Sequence, residues 1–270
     1  KKFTKVGYIN TSENWDTWNT IVNSLQISEN PIKIAMVGKY VTLADSYVSV
    51  NEALKHASAS INSTVNIDWI DSETLNGNIK KLSEYQGILV PGGFGTRGSE
   101  GIIETASFAL EQNIPFLGIC FGFQLAAVSF GRSVCKLEEA NSTEVSADTK
   151  HPIIALLPEQ EGVSNMGGSL RLGANEINLN KNSLAYKIYN TEVIYKRHRH
   201  RYEFNTNYRE QFEKNGMNFT AESDNGKRME ILEVPSHKFF FGVQFHPEFS
   251  SRPGFPEHAF KAFVSAASHK

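Results

Sequence analysis

The sequence predicts an α/β fold: a mostly parallel central sheet with helices on both faces, plus a small antiparallel β addition at one end. Three observations carry this. Short runs rich in Val, Ile and Leu alternate with segments of helical periodicity up to about residue 131. Those runs are nearly continuous in apolar residues, as strands covered on both faces must be. Beyond that point the pattern turns polar and rich in turn residues, with short strand-like runs that read as antiparallel.

Residues 1–30 are rich in Asn, Ser and Thr, yet Trp15, Trp18, Ile21, Val22 and Leu25 recur at helical spacing. They read as an N-terminal extension holding a short amphipathic helix, outside a domain over 31–270. That domain opens with Ile32-Lys33-Ile34-Ala35-Met36-Val37-Gly38, a buried strand stopped by glycine. A helix follows from Asp45 to about Ile61, with Val48, Ala53, Leu54, Ala57 and Ile61 on its apolar side. Strands are expected at Val65–Ile70, at Gly87–Pro91 and at Ile114–Ile119, and a helix over Ser99–Gln112. Later runs at 153–157, 169–172, 193–195 and 229–234 read as the antiparallel addition. A strand over 239–245 and a last helix from about Pro256 to Ala267 complete the chain.

Composition narrows the function classes. A formal net charge of -2 gives no global attraction to nucleic acid or to an anionic membrane. The basic run Lys196 to Arg201 is a local exception, but no aromatic platform is interleaved with it, so neither nucleic acid nor membrane is expected as a partner. Two cysteines, Cys120 and Cys135, argue against a disulfide framework and point to a reducing, cytoplasmic compartment. The start lacks the apolar core of a signal peptide, and no segment has the length of a membrane span. The eight histidines show no zinc-like spacing, so no metal site is expected.

Two stretches carry chemistry. In Gly118-Ile119-Cys120-Phe121-Gly122-Phe123-Gln124 an apolar strand turns sharply into a helix with a thiol at the apex. Glycines two residues to either side relieve the crowding of such a turn, the form of a nucleophile elbow with Cys in place of Ser. A helix N-terminus favours the thiolate that attacks carbonyl carbon. The bland alternative is a buried structural cysteine. In Phe239-Phe240-Phe241-Gly242-Val243-Gln244-Phe245-His246-Pro247-Glu248 a second apolar strand ends in an imidazole and a carboxylate, with a rigid proline between them. His246 could take the thiol proton and return one to a leaving amine, and Glu248 could orient the ring. Alone, this is equally a surface turn. The loop Pro91-Gly92-Gly93-Phe94-Gly95-Thr96-Arg97-Gly98 follows the third strand, on the sheet edge where ligands of such folds bind. Its backbone N–H groups, with that of Phe121, could hold an oxyanion.

These residues resemble the class I glutamine amidotransferases, which use a Cys-His-Glu triad on a flavodoxin-like sheet. More narrowly, Val90–Gly95, Ala140–Glu144, Met166–Gly173, Arg197–Tyr202 and Arg228–Glu230 resemble the glutaminase domain of the CTP synthase family, in unbroken order over roughly residues 32 to 255. The resemblance implies L-glutamine as substrate. Cys120 would be its nucleophile, His246 the acid and base, and Glu248 the orienter. Gly93 and Phe121 would give the oxyanion donors, with Gly122, Phe123 and Gln124 in the same binding segment. Glu144 would take the α-ammonium and Arg201, among the arginines of its run, the α-carboxylate. Phe121 and Phe123 depart from the Leu and Met that the family commonly has there. The resemblance implies no cofactor in this domain. It also implies an amidoligase domain that binds ATP, UTP and magnesium, with GTP as an activator at the domain interface. That domain is not within these 270 residues, so the chain alone is not expected to make CTP. Residues 1–30 resemble the connector between the two domains. The readings left beside this one are another Cys-His-Glu hydrolase, such as a γ-glutamyl peptidase, and a non-catalytic regulatory module.

Overall fold

Strand β1 (Ile32–Gly38) is buried at every position but Lys33, and alternate side chains feed two different cores. Ile34 and Met36 join one apolar cluster with α1 (Val48–Ala59) and α6 (His258–Ser268). Ala35 and Val37 join the other, with α2 (Ser99–Glu111) and α3 (Phe121–Ser133). The same split recurs along β3 (Gly87–Val90), where Leu89 faces the first core and Ile88 and Val90 the second. A strand that feeds both layers cannot show polar alternation, which is why these runs are continuously apolar. The structure is a computed structural model and describes residues 15–16, 18–19, 22–23, 31–41, 43, 45–75, 77–156 and 170–269.

Among the described residues the main sheet has nine strands in the order β2 (Val65–Asp71), β1, β3, β4 (Phe116–Ile119), β12 (Phe240–Val243), β11 (Arg228–Glu233), β10 (Asn218–Ser223), β7 (Arg171–Leu179), β8 (Val193–His200). Pairing is parallel from β2 to β12 and antiparallel from β12 to β8. The antiparallel addition is therefore four strands continuous with the parallel sheet. Two short helices, α4 (Leu184–Tyr189) and α5 (Arg209–Lys214), interrupt it along the chain. A separate sheet holds β5 (Ala140–Ser142), β6 (His151–Ala155) and β9 (Glu203–Phe204). The run at 153–157, expected in the addition, lies largely in β6 and joins this smaller sheet. The choice of partner strand is a long-range matter that the run itself does not encode. Of the strand expected at 169–172, Arg171 and Leu172 open the longer β7, Leu170 lies just before it and Ser169 is outside the described residues; β10 has too polar a sequence to stand out as a strand.

Four strand spacings separate β12 from β8, about 19 Å in a flat sheet. Yet the N–H of His246, just past β12, donates to the carbonyl of Arg197 in β8 at 2.8 Å. The antiparallel half must curl back, so that the edge strand closes over the carboxyl ends of β4 and β12. That closure forms the inner wall of the site.

Among the described residues of the extension, 15–16, 18–19 and 22–23 are helical, and Trp15, Trp18 and Val22 are exposed. Ile21 and Leu25, and residues 166–169 of the glycine-rich motif before Leu170, lie outside the described residues. No helix among the described residues is long and apolar enough to cross a membrane.

Candidate active site

The turn from β4 into α3 places Cys120 at φ 52° and ψ -98°, in a backbone region that L side chains rarely adopt. Two flanking glycines make the turn possible. A Cβ on Gly118 would fall 2.7 Å from the backbone of Gly122, and one on Gly122 would fall 2.3 Å from the carbonyl oxygen of Val90. Cys120 is anchored by its N–H to the carbonyl of Val243 at 2.7 Å, and its own carbonyl accepts from Gln124 N–H at 3.1 Å in the first turn of α3.

β12 runs beside β4 and in parallel, so its carboxyl end delivers His246 to the same edge. Pro247 starts a short 3₁₀ turn that swings Glu248 back under the ring, and His246 Nδ1 lies 2.8 Å from Glu248 Oε1. Gly92 shows how close the ring stands to the nucleophile. A Cβ there would lie 2.9 Å from His246 Cε1 and 3.7 Å from Cys120 Cβ, so imidazole and thiol flank one point. Burial would lower the imidazole, but the Cys120 sulfur and the Glu248 carboxylate outweigh it and push the ring up to about 10. A ring charged at neutral pH beside the sulfur is placed to give a proton to a leaving amine.

Cys120 stands between two cavities. One, of about 100 Å³, is lined by Gly93, Cys120, Gln124, Glu144, Arg201 and Tyr202, among others. It sets a carboxylate and a guanidinium around one small space, the complement of a zwitterionic amino acid. The other, of about 410 Å³, opens on the side of His246 and Glu248, past Tyr40, Val48, Arg199 and Phe249.

Comparison with known proteins gives the same answer as the geometry. Residues 42–266 match the family Glutamine amidotransferase class-I. The chain belongs to the class I glutamine amidotransferase family. It is 49% identical to a CTP synthase of Archaeoglobus fulgidus, covering 96% of this chain and 49% of that protein. It is 51% identical to a CTP synthase of Halalkalibacterium halodurans, covering 94% of this chain and 48% of the relative. The chain thus spans about half the length of the curated relatives it matches. A solved Trypanosoma brucei CTPS glutaminase domain with bound acivicin superposes with a TM-score of 0.83 at 36% identity, covering 88% of this chain and 94% of that one.

Within this amidotransferase, the structure brings Cys120, His246 and Glu248 together and gathers Gly93, Gln124, Glu144 and Arg201 around the smaller cavity. The Phe121 and Phe123 side chains point elsewhere, and Gly122 has none. Phe121 lies under the Lys39 ammonium, 4.0 Å from ring centre to Nζ, Gly122 abuts β3, and Phe123 is fully buried against Gly242. The wall of the cavity is therefore not built from the Phe121 and Phe123 rings, because helix geometry turns them toward the sheet and the loop.

Lys39 is the residue that motif reading passed over. Its Nζ donates to the carbonyls of Phe94, at 3.0 Å, and Gly95, while Glu144 Oε1 accepts from Gly95 N–H at 2.7 Å. The peptide between Phe94 and Gly95 is thus held on its carbonyl side by a lysine and on its N–H side by a glutamate. Burial pulls the Lys39 ammonium down to about 8, against the raising effect of Glu144. The only sequence signal for it was a charge directly after a strand that ends at the ligand-binding edge. Arg97 completes the bracing of the loop, bonding Glu73 at 2.7 Å and the carbonyl of Lys39.

The triad electrostatics give a pH prediction. In Glu248→Gln the negative carboxylate beside the ring is lost, so His246 is expected to release its proton at a lower pH than the value of about 10 in the parent. A folded value raised above the ordinary 6.5 contributes stability that is fully present below 6.5 and is lost as pH rises through about 10. The variant should narrow that window from its upper end. Histidine NMR titration of both proteins checks this, and an unmoved His246 would show that Glu248 does not set its charge.

Proposed function

We propose that this chain is the glutaminase part of a CTP synthase, hydrolysing L-glutamine to glutamate and ammonia. What most supports this is the meeting, at Cys120, of a buried imidazole–carboxylate pair and a cavity carrying both Glu144 and Arg201. Glutamine would lie with its α-ammonium toward Glu144 and its α-carboxylate toward Arg201, which brings its side-chain amide to the sulfur. The thiolate of Cys120 attacks the amide carbon, forming a C–S bond, and the oxyanion is taken by the N–H groups of Gly93 and Phe121. Collapse breaks the C–N bond as His246 protonates the leaving nitrogen. Water, deprotonated by His246, then cleaves the thioester, releasing glutamate and the thiol. The thioester route requires no cofactor in this chain.

The larger cavity on the imidazole side suits the departing ammonia. We place its consumer in a synthetase domain that aminates UTP with ATP and magnesium, with GTP acting at the interface of the two domains. Residues 1–30 would be the connector, and the compartment the cytoplasm.

The test compares substrates and labels the nucleophile. Glutamine is expected to be hydrolysed in preference to γ-glutamyl dipeptides, and a glutamine-like chloroketone should add its mass at Cys120 and not at Cys135. Burial holds the Cys135 thiol up at about 11, leaving it little thiolate to react at neutral pH. Equal or faster turnover of the dipeptides would point to a γ-glutamyl peptidase. Labelling no faster than Cys135 would point to a non-catalytic module.

A further inference from the structure

The inner face of β8 carries a feature that the triad chemistry does not use. His198 and His200 both point inward and are each 1% exposed, while Arg197 and Arg199 point outward. His198 Nδ1 lies 3.0 Å from His200 Nε2, and His200 Nδ1 lies 3.2 Å from the carbonyl oxygen of Tyr202. The same carbonyl accepts from Gln124 Nε2 at 2.9 Å, and Gln124 Nε2 also donates to Gln244 Oε1 at 3.2 Å. Around the rings stand Arg171 from β7, Arg228 and Glu230 from β11, Glu203 from β9, and His246 and Phe245 beyond β12.

These contacts dictate where the protons are. A carbonyl can only accept, so His200 must carry its proton on Nδ1. Burial, reinforced by the nearby arginines, pushes His198 down to about 2 and His200 to about 3, so both rings are neutral. The bare Nε2 of His200 must then accept, and the proton of His198 is likewise on Nδ1. The outer nitrogen of His198 faces Glu230 Oε2 at 3.7 Å, beyond hydrogen-bond reach. At the other end, both hydrogens of the Gln124 amide are consumed, one by Tyr202 and one by Gln244. Its oxygen is left as the atom available to a ligand. Two imidazoles buried among arginines and carboxylates are costly where apolar side chains would fill the space more favourably. The ordered pair therefore calls for a role beyond filling the curl of the sheet.

We propose that His198 and His200 are positioning residues for the amino-acid cavity: a proton-ordered pair holds the Tyr202 carbonyl, which orients the Gln124 amide so that Oε1 meets an N–H of the substrate. This rests on the glutamine reading of that cavity. His200 lines the cavity beside Gln124, and the sulfur meets β8 at the Arg199 carbonyl, 3.9 Å away, a group to which neither ring bonds, so the pair is assigned to substrate affinity and not to the reactivity of the sulfur.

The experiment has two arms on the full chain. Selective ¹⁵N-histidine NMR reads the tautomers directly: both rings should be neutral with the proton on Nδ1, and a proton on Nε2 of either, or a charged ring, overturns the proposal. In the second arm, inactivation by a glutamine-like chloroketone is followed as a function of its concentration. His200→Leu should weaken the apparent affinity about tenfold and leave the limiting rate, and the rate of alkylation by iodoacetamide, within about twofold. His200→Asn, whose amide nitrogen replaces the Nδ1 donor to Tyr202, should restore affinity to within about threefold of the parent. Equal weakening in both variants, or a limiting rate that falls with affinity, overturns the proposal. If His200→Leu does not fold, the tautomers and the Asn variant still decide. A parent chain that the chloroketone never labels refutes the glutamine reading, whereas the tautomer arm judges the pair independently.

Discussion

Cys120→Ala lowers glutamine hydrolysis by at least about 10⁴-fold, the scale on which triad enzymes lose rate when the nucleophile is removed. The fold should survive, because Ala keeps the backbone of the elbow and removes only the sulfur, which borders the two cavities and is not packed on every side. Stability should then separate two inactive variants. The parent holds a non-glycine residue at φ 52°, ψ -98°, a conformation that costs on the order of 1–3 kcal/mol. Cys120→Gly relieves that strain and Cys120→Ala does not, so the glycine variant should be the more stable by about 1 kcal/mol after its larger unfolded-state entropy is counted. Denaturant midpoints for the two proteins, alongside ammonia release, check both statements. Measurable turnover in Cys120→Ala would remove the thiol from the mechanism, and an alanine variant more stable than the glycine one would remove the strain.

The second large effect falls on Gly122→Ala, with a loss of about 3 kcal/mol or more in stability and about 100-fold or more in turnover. The new Cβ would sit 2.3 Å from the Val90 carbonyl oxygen, and a strand backbone cannot turn aside as a side-chain end can. Helix α3 and strand β3 must separate. Since β3 leads into the Gly92–Gly93 loop and α3 carries the nucleophile, that separation opens the oxyanion site, where displacements of about 1 Å cost about 100-fold. Gly131→Ala is the control: it lies on the same helix, but the nearest atom is the ring tip of Phe212 at 3.3 Å, so a change within about 1 kcal/mol is expected. Urea midpoints and glutaminase rates for the pair provide the measurement. If the two variants behave alike, the close approach at Gly122 is not what holds the elbow.

Much of this site was legible before any coordinates. The spacing of Gly118, Cys120 and Gly122 reads as a strand-to-helix elbow, and the close approaches at the two glycines give that spacing its reason: each admits a backbone that a Cβ would repel. The His-Pro-Glu end of β12 was equally plain, because the proline restricts the chain to a turn that joins ring and carboxylate. Lys39 was not, since its partners, the carbonyls of Phe94 and Gly95, lie more than fifty positions away. Nor was the inward direction of His198 and His200, which a basic run on an exposed face would match equally well.

By itself, the sequence determined that an elbow cysteine and a His-Pro-Glu turn stand at strand ends and which segments are strands buried on both faces, because backbone conformation at glycine and proline and the period of apolar residues act over a few neighbouring positions. The tertiary structure alone decided that the antiparallel half curls until β8 meets His246, that a lysine and a glutamate clamp one peptide of the glycine-rich loop, and that two histidines face the core. Those outcomes depend on strand pairing and sheet curvature, which are settled by the burial and hydrogen bonding of segments far apart in the chain, and no local pattern records them.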